Sequence, residues 1–187
     1  MKRTKNPAKE AEYRKRAADL VAQMTLHEKV SQMLSWAPAI ERLGIPAYNW
    51  WSEGIHGVGR AGTATVFPQA IGMAAAFDED MMEQVGNAVG VEARGKYNMC
   101  RAHGDRDIFK GLTVWAPNIN IFRDPRWGRG HETYGEDPFL TSRLGVRFVE
   151  GMQGDDPNYL QAAACAKHFA VHSGPESDRH HLNAIVS

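Results

Sequence analysis

Three polar stretches of the sequence concentrate side chains that can bind and polarise a ligand. The longest is RDPRWGRGHETYGEDP, residues 123–138, with seven charged residues, two large aromatic rings and no Ala, Val, Leu or Ile. The other two, WWSEGIHGVGR and KHFAVHSGPESDRHH, supply Glu53, Arg60, Lys167, His168, Asp178 and His180. Charged and imidazole groups form hydrogen bonds of fixed direction, while aromatic rings provide flat apolar walls. Such a lining suits a sugar, because a sugar has apolar ring faces and an edge of hydroxyl groups.

The segments that precede these stretches are predicted to be strands. IPAYNWW, from Ile45, and GLTVWAPNINIF have the β-branched and aromatic residues typical of strands. PQAIGMAAAF predicts a short helical turn followed by a small-residue strand that ends at Phe77. LQAAACAKHFAV is a continuous apolar run that fits a strand buried on both faces, with Cys165 as a buried free thiol. Cys165 and Cys100 are too few for a disulfide framework.

Capping signals predict where the helices begin. Thr25 and Glu28 have capping-box spacing, so a helix is expected to begin near Leu26. Asp78 is a candidate N-cap for EDMMEQVGNAVGVEARGKY, whose apolar residues recur on one face. Asp137 and Pro138 predict the start of a further helix, which Gly154 is expected to end.

The order of these elements indicates the fold class. Strand, polar loop and helix alternate, which is typical of βαβ units on a parallel sheet. The polar stretches follow the carboxyl ends of the strands, where parallel α/β folds keep their active sites. A (β/α)8 barrel needs about 250 residues. We therefore predict an α/β fold that forms the first half of a TIM-like barrel, truncated at its C-terminal side. Residues 1–16 are predicted to be a solvated polar lead-in or the start of a polar helix, and residues 17–187 the barrel portion.

Composition excludes several classes of function. The 187 residues include 22 Lys and Arg against 22 Asp and Glu, and 43% are hydrophobic, as in an ordinary soluble globular protein. The charge balance gives no reason to expect nucleic acid or a membrane surface as a partner. The charged N-terminus lacks the apolar core of a secretory signal. A cytoplasmic location is therefore expected, or a secreted or periplasmic one if a leader has been removed.

RDPRWGRGHETYGEDP, KHFAVHSGPESDRHH and YNWWSEGIHGVGRAG…TVFPQAIGMAAAFD together closely resemble glycoside hydrolase family 3, in its β-glucosidase and β-xylosidase branch. The resemblance covers roughly residues 17 to 187, with several long motifs in the right order. It implies a barrel domain, hydrolysis of terminal β-linked glucosides or xylosides with retention of configuration, and no cofactor.

The resemblance also assigns residues to the −1 sugar subsite. Glu53 matches the acidic residue that binds distal hydroxyls, and Arg129 matches the subsite arginine. Lys167 and His168 match the pair that holds neighbouring hydroxyls. Arg60 lies close to a second arginine of some members, although its spacing differs by about one residue. From the residues alone, Glu53 could equally be a solvated loop carboxylate, and Arg129 could form a surface ion pair.

In the family, the nucleophile is an Asp on a later strand and the acid/base Glu lies in a second domain. The resemblance therefore places no catalytic residue within this chain, and gives structural roles to Asp124, Glu132, Glu136 and Asp137. The chain alone is expected to be inactive and to need the missing half-barrel and second domain as partners.

Alternatives remain open at this point. Asp178 and His180 have the spacing of the Asp-x-His dyad of family members that remove N-acetylglucosamine, in which the His is the acid/base. Those members usually read KHFPGHG, whereas this chain reads KHFAVHSG. A metal site at His168, His172, His180 and His181 is disfavoured, because a strand that runs into a loop scatters these rings. A non-catalytic carbohydrate-binding or assembly fragment is the alternative from a different functional class.

Overall fold

The elements that position the polar stretches are seen in a computed structural model, which describes residues 6–169 and 171–185. The helices are α1 (Pro7–Gln23), α2 (Leu26–Ser31), α3 (Ala70–Ala74), α4 (Glu79–Ala102) and α5 (Pro138–Gln153). The strands are β1 (Trp36–Ala37), β2 (Tyr48–Asn49), β3 (Thr113–Val114) and β4 (Ala163–Ala164). Short 3-10 turns cover Glu41–Leu43, Gly130–Glu132 and Glu176–Asp178.

The helix starts follow the capping residues of the sequence. Thr25 and Glu28 form the predicted capping box, so α2 begins at Leu26. A carboxylate oxygen of Asp78 accepts from the amide of Met81 at 2.9 Å and starts α4. Asp137 caps α5, which ends at Gly154 with a left-handed φ of 69°. All three predicted helices are confirmed.

The core lies between α4 and α5. The predicted apolar faces meet there, and the residues that are fully buried between the helices and the sheet include Met82, Val89, Leu144, Phe148 and Met152. A side chain at Gly86 or Gly151 would overlap the backbone of the opposite helix. The two glycines therefore let the helices approach closely.

Three parallel segments lie side by side against this helix pair. β3 pairs with β4 in parallel, and α5 connects them as a βαβ unit. Ser52 forms a parallel bridge with Val114. Asn118 forms a parallel bridge with Lys167. Because all three segments run in the same direction, their carboxyl ends reach one edge, and the polar stretches leave from it. The predicted α/β organisation is confirmed at this level.

The strands are shorter and fewer than predicted. Each one spans two residues, and the described residues do not close into a barrel, so the barrel stays an expectation. The prediction of a strand that ends at Phe77 is wrong. The segment forms α3 and a turn in which Phe77 has a φ of 53°. Alanine has the highest helix propensity, and the alanine-rich run continues the helical turn until Phe77 reverses the chain.

The strand predicted from Ile45 is found only over β2, which pairs antiparallel with β1. The apolar run around β4 is not buried on both faces, because Ala163 and Ala164 are half-buried and Cys165 is exposed. The prediction of a buried Cys165 thiol is wrong, since nothing among the described residues covers this end of the strand. Ala170 of the same run lies outside the described residues.

The N-terminal segment forms a polar helix, one of the two structures that its sequence predicts. Asn6 caps α1 and also donates its side-chain amide to Asn158 at 3.0 Å, which ties the helix to the loop after α5. No α1 residue is buried. Residues 1–5 of the predicted lead-in lie outside the described residues. No helix in the described part of the chain combines the length and the apolarity needed to cross a membrane.

Candidate functional site

Four of the five predicted substrate-binding residues meet at the edge where the parallel segments end. The Lys167 ammonium lies 3.6 Å from a carboxylate oxygen of Glu53. Arg129 Nη1 lies 3.1 Å from Nε2 of His168. Glu53 directly follows the Ser52 bridge, and Lys167 is itself paired with Asn118, so the sheet register fixes both backbones. The result is a cluster of alternating charge that faces the ends of the strands.

Arg129 is held from the side by Glu132. Arg129 Nε donates to Glu132 Oε1 at 2.8 Å, and Nη2 donates to Oε2. Burial alone would raise the pKa of Glu132, but the hydrogen bonds and charge of Arg129 outweigh it and hold that pKa below its usual range. With the contact to His168, three of the five N–H donors of a guanidinium are engaged by described residues. Two remain for a ligand.

Lys167 is almost completely buried, with 9% exposure. Burial lowers the pKa of Lys167, and the neighbouring Glu53 carboxylate opposes that change. The other oxygen of Glu53 accepts from the indole N–H of Trp51 at 2.7 Å. The Glu53 carboxylate is thus held in one orientation, and a charged donor and a charged acceptor stand side by side with little water. Such groups form the stronger class of hydrogen bond.

His168 is fixed by Asn120, which lies at the end of the β3 segment. The Oδ1 atom of Asn120 lies 2.8 Å from Nδ1 of His168 and 3.0 Å from its backbone nitrogen. Burial, followed by the positive charge of Arg129, lowers the pKa of His168 to about 4. His168 is therefore neutral at pH 7, with a ring that two neighbours orient.

The two long polar loops are tied to each other beside the cluster. The amide of Gly128 donates to Glu176 Oε2 at 3.1 Å, and Arg123 donates to the Ser173 hydroxyl at 2.9 Å. The ring of His172 lies against His168, with centroids 4.4 Å apart, and Trp127 is buried edge-on to His172. These contacts hold the loop that carries Arg129 in position against the Lys167–His168 segment.

A polar cavity of about 180 Å³ opens next to the cluster. The carboxylate residues Glu53 and Glu132 line it, together with His56, Gln69 and His131. The cluster therefore borders a space that can hold small hydroxylated groups, with acceptors already held in position.

The structure does not bring Arg60 into this cluster. Arg60 is exposed, has a left-handed φ of 59°, and places its guanidinium over the Phe109 ring at 5.2 Å from the centroid. The assignment of Arg60 by resemblance has no geometric support.

Asp178 and His180, the alternative dyad, lie in the exposed loop that contains the Glu176–Asp178 turn. Within the described residues, no hydrogen bond joins their side chains, and the Asp178 carboxylate accepts from Ser177 at 3.2 Å instead. The dyad geometry that the sequence spacing suggested is therefore not formed in this structure.

Sequence reasoning missed Asn118 and Asn120, which are both buried at the cluster. A signal was present in the run PNINIF, in which asparagine alternates with isoleucine. Strand periodicity of two places both asparagines on one face. Amide side chains on one face of an apolar segment need hydrogen-bond partners when buried, which marks that face as the polar one.

The chain is similar to known proteins over most of its length. Residues 16–187 match the model of the glycosyl hydrolase family 3 N terminal domain. The chain is 51% identical over 173 residues to the xylan 1,4-β-xylosidase of Xylanibacter ruminicola, covering 91% of this chain and 20% of that protein. It is 50% identical over 175 residues to the probable β-D-xylosidase 7 of Arabidopsis thaliana, covering 84% of this chain and 22% of that protein.

The fold of the chain is also similar to that of solved family 3 glycosidases. A family 3 exo-β-xylosidase in complex with a xylobiose aziridine probe aligns with a TM-score of 0.74 and 37% identity, over 89% of this chain and 22% of the other. The family 3 β-glucosidase of Bifidobacterium adolescentis aligns with a TM-score of 0.67 and 31% identity, over 85% of this chain and 21% of the other. The chain thus spans about a fifth of the length of these relatives. Because the family model and these relatives cover most of its residues, the chain belongs to glycoside hydrolase family 3.

Proposed function

We propose that this chain contributes the −1 sugar subsite of a retaining exo-β-glycosidase that acts on terminal β-linked xylosides or glucosides. The observation that carries the proposal is the meeting of Lys167 with Glu53 and of Arg129 with His168 at the carboxyl ends of parallel segments. The similar proteins named as β-xylosidases and β-glucosidases support the substrate class.

The cluster suits the chemistry of a sugar ring. Two unengaged Arg129 donors, the Lys167 ammonium and the Glu53 carboxylate provide charged groups for adjacent hydroxyls. Hydrogen bonds to ring hydroxyls that strengthen in the oxocarbenium-like transition state contribute several kcal/mol to glycoside hydrolysis. In this proposal the residues described here bind and orient the sugar rather than break the bond.

Retention requires a carboxylate nucleophile and an acid/base about 5–5.5 Å apart across the glycosidic bond. The carboxylates at this edge already have other partners, because Glu132 binds Arg129 and Glu53 contacts Trp51 and Lys167. We propose that the nucleophile and the acid/base come from further polypeptide that completes a (β/α)8 barrel and adds a second domain. The 187-residue chain alone is then expected to show no turnover.

A chimera tests the proposal directly. The matching segment of the Xylanibacter ruminicola β-xylosidase would be replaced by this chain, and kcat/KM would be measured on aryl β-xyloside and aryl β-glucoside. Lys167→Ala and His168→Ala are expected to lower kcat/KM about 10- to 100-fold, the worth of a hydrogen bond to a charged group. Lys15→Ala, which removes an ion pair with Asp19 on the exposed helix α1, is the matched control. Unchanged kinetics in both cluster variants, or an inactive chimera with native circular dichroism, would contradict the proposal.

His180→Ala separates this function from the β-N-acetylhexosaminidase alternative. If His180 is loop scaffold, the variant keeps most of its kcat on the aryl β-xyloside. If His180 is an acid/base with Asp178, kcat collapses and exogenous nucleophiles or acids restore it. Sugar binding without turnover in the chimera would favour the non-catalytic carbohydrate-binding alternative.

A further inference from the structure

Each ring nitrogen of His168 faces a group whose hydrogen-bonding role is fixed, either as a donor or as an acceptor. The Oδ1 atom of Asn120 lies 3.0 Å from the backbone nitrogen of His168. A backbone N–H can only donate, so the Asn120 atom beside it must be the amide oxygen and not the amide nitrogen. The same oxygen lies 2.8 Å from Nδ1. Nδ1 must therefore carry the ring proton.

The contact at the other ring nitrogen, Nε2, independently indicates the same Nδ1–H tautomer. Nη1 of Arg129 lies 3.1 Å from Nε2. A guanidinium is a donor that is not deprotonated in proteins, so Nε2 must accept. A doubly protonated ring would turn an N–H toward this cation. Two neighbours, 48 and 39 residues away in sequence, thus select one neutral tautomer.

Arg129 depends on this tautomer for its orientation. Glu132 holds one edge of the guanidinium, and Nε2 of His168 is the acceptor at Nη1. With the opposite tautomer, an Nε2–H would face Nη1 and this contact would become repulsive. The Arg129 guanidinium would then be held only by Glu132, and the two donors that no described residue engages would no longer have a fixed direction.

We propose that Asn120 is a positioning residue of the sugar site, whose amide oxygen fixes His168 as the Nδ1–H tautomer so that Nε2 aims Arg129 at the sugar. The role in sugar binding rests on the proposed function, whereas the tautomer does not. Nothing in the sequence motifs assigns a function to Asn120.

Asn120 is itself held rigidly. Its exposure is 5%, and its backbone N–H donates at 3.0 Å to the side-chain oxygen of Asn118, which is 1% exposed. Asn118 sits in the parallel bridge to Lys167. Hydrogen bonds therefore connect the sheet to the Arg129 guanidinium without a gap, from Asn118 to Asn120, then to His168 and then to Arg129.

Nitrogen-15 NMR of the histidine-labelled chain tests the tautomer without any activity measurement, with His168→Gln used to identify the signals. Wild type is expected to show Nδ1–H and to stay neutral until about pH 4. The other titratable and charged groups that face the ring are Arg129, His172, Lys167 and Glu132. A wild-type ring in the Nε2–H form overturns the proposal outright.

Two variants distinguish the role of the Asn120 acceptor oxygen from that of the size of its side chain. Asn120→Asp keeps the acceptor oxygen and adds a negative charge, so it should retain Nδ1–H and raise the titration midpoint of the ring. Asn120→Leu removes one of the two groups that select the tautomer, so the ring should become a mixture of the Nδ1–H and Nε2–H forms. Asn98→Asp adds the same charge at an exposed position of α4 and should leave the ring signals unchanged.

Kinetics in the chimera complete the test. Asn120→Leu should lower kcat/KM about 10- to 100-fold, the worth of a hydrogen bond to a charged group, while Asn120→Asp should restore part of it and shift the acidic limb of the pH profile. Equal loss in the two variants with no change in the pH profile would contradict a positioning role. If the tautomer is as expected but His168→Ala leaves kcat/KM unchanged, the proposed function fails and the assignment of the tautomer stands.

Discussion

Burial and neighbouring charges together set the protonation of the two adjacent residues Lys167 and His168. Lys167 is nearly buried, and Glu53 at 3.6 Å offsets part of the desolvation of its ammonium. For His168, burial is the larger reason that a positive ring is disfavoured, and the facing guanidinium of Arg129 adds to it. Adjacent residues therefore present a charged donor and a neutral, oriented ring. Removing Glu53 would leave a buried cation without its partner, which is more costly than the loss of one hydrogen bond.

The depressed pKa of His168 makes stability depend on pH. The folded pKa of about 4 lies below the ordinary histidine pKa of 6.5, so between these values the unfolded state binds the proton first. The stabilisation from the neutral ring is present above about pH 6.5 and is lost as the pH falls toward 4. The urea midpoint of wild type should therefore decline over this window. The decline should be smaller in His168→Gln and in His168→Asn, even if their stabilities at pH 7 differ. Parallel declines in all three proteins would show that His168 does not carry this dependence.

The sequence predicted the cluster residues that carry a recognisable motif, and it did not predict those that act through three-dimensional contact. Glu53, Arg129, Lys167 and His168 lie in long polar runs, and the resemblance of these runs to the family assigns the four residues to the sugar subsite. The role of Asn120 depends on a residue 48 positions away. Which nitrogen of an imidazole carries the proton follows from that contact and cannot be inferred from spacing. Arg60 was also assigned by resemblance, and in the structure its guanidinium lies over the Phe109 ring.

At the scale of elements, the approach of α4 and α5 depends on glycines that have no room for a side chain. Gly151→Ala would place a Cβ into the backbone of α4 near Glu83. The helices would have to separate, at a cost of about 1–3 kcal/mol or more in the free energy of unfolding. Gly95→Ala on α4 is the matched control, because nothing lies within 4 Å of its added Cβ. It should stabilise the helix by about 0.8–1 kcal/mol.

Urea unfolding of the two variants measures this difference. The expected result is a lower midpoint for Gly151→Ala and an equal or higher midpoint for Gly95→Ala than for wild type. If both variants unfold at the wild-type midpoint, the close contact between the helices does not contribute to stability. A higher midpoint for Gly151→Ala would show that α5 has room to move.

Helices were predicted more accurately than strands for a local reason. The caps at Thr25, Asp78 and Asp137 are side-chain to backbone contacts within three residues, so the sequence contains the whole signal. A strand is defined by partners far along the chain, and β3 pairs with a segment about 50 residues away. The alanines before Phe77 favour a helix by their intrinsic propensity, which the prediction of a small-residue strand did not take into account. The exposure of Cys165 likewise depends on what covers β4, which its own apolar run does not reveal.

At the scale of the whole molecule, the surface between the end of β3 and α5 is apolar and exposed. A groove of about 430 Å³ runs between the end of β3 and α5, lined by Pro117, Ile119, Ile121, Val146, Val149 and Ala166, among others. Ile119 is 44% exposed and Val146 is 54% exposed. The hydroxyl of Thr141, which also lines the groove, is buried without a hydrogen-bond partner among the described residues. Contiguous apolar surface of this kind marks a place where further polypeptide packs.

The isolated 187-residue chain is therefore expected to self-associate through this groove. Sedimentation velocity over a range of concentrations should show species larger than the monomer, and Val146→Lys should shift them toward the monomer. Val91→Lys on α4 is the matched control, because Val91 and Val146 are both 54% exposed but only Val146 lines the groove. Equal effects of the two substitutions would show that association does not use the groove. A single monomeric species of the wild-type chain at every concentration would contradict the expectation, because the apolar face would then be stable in water without a partner.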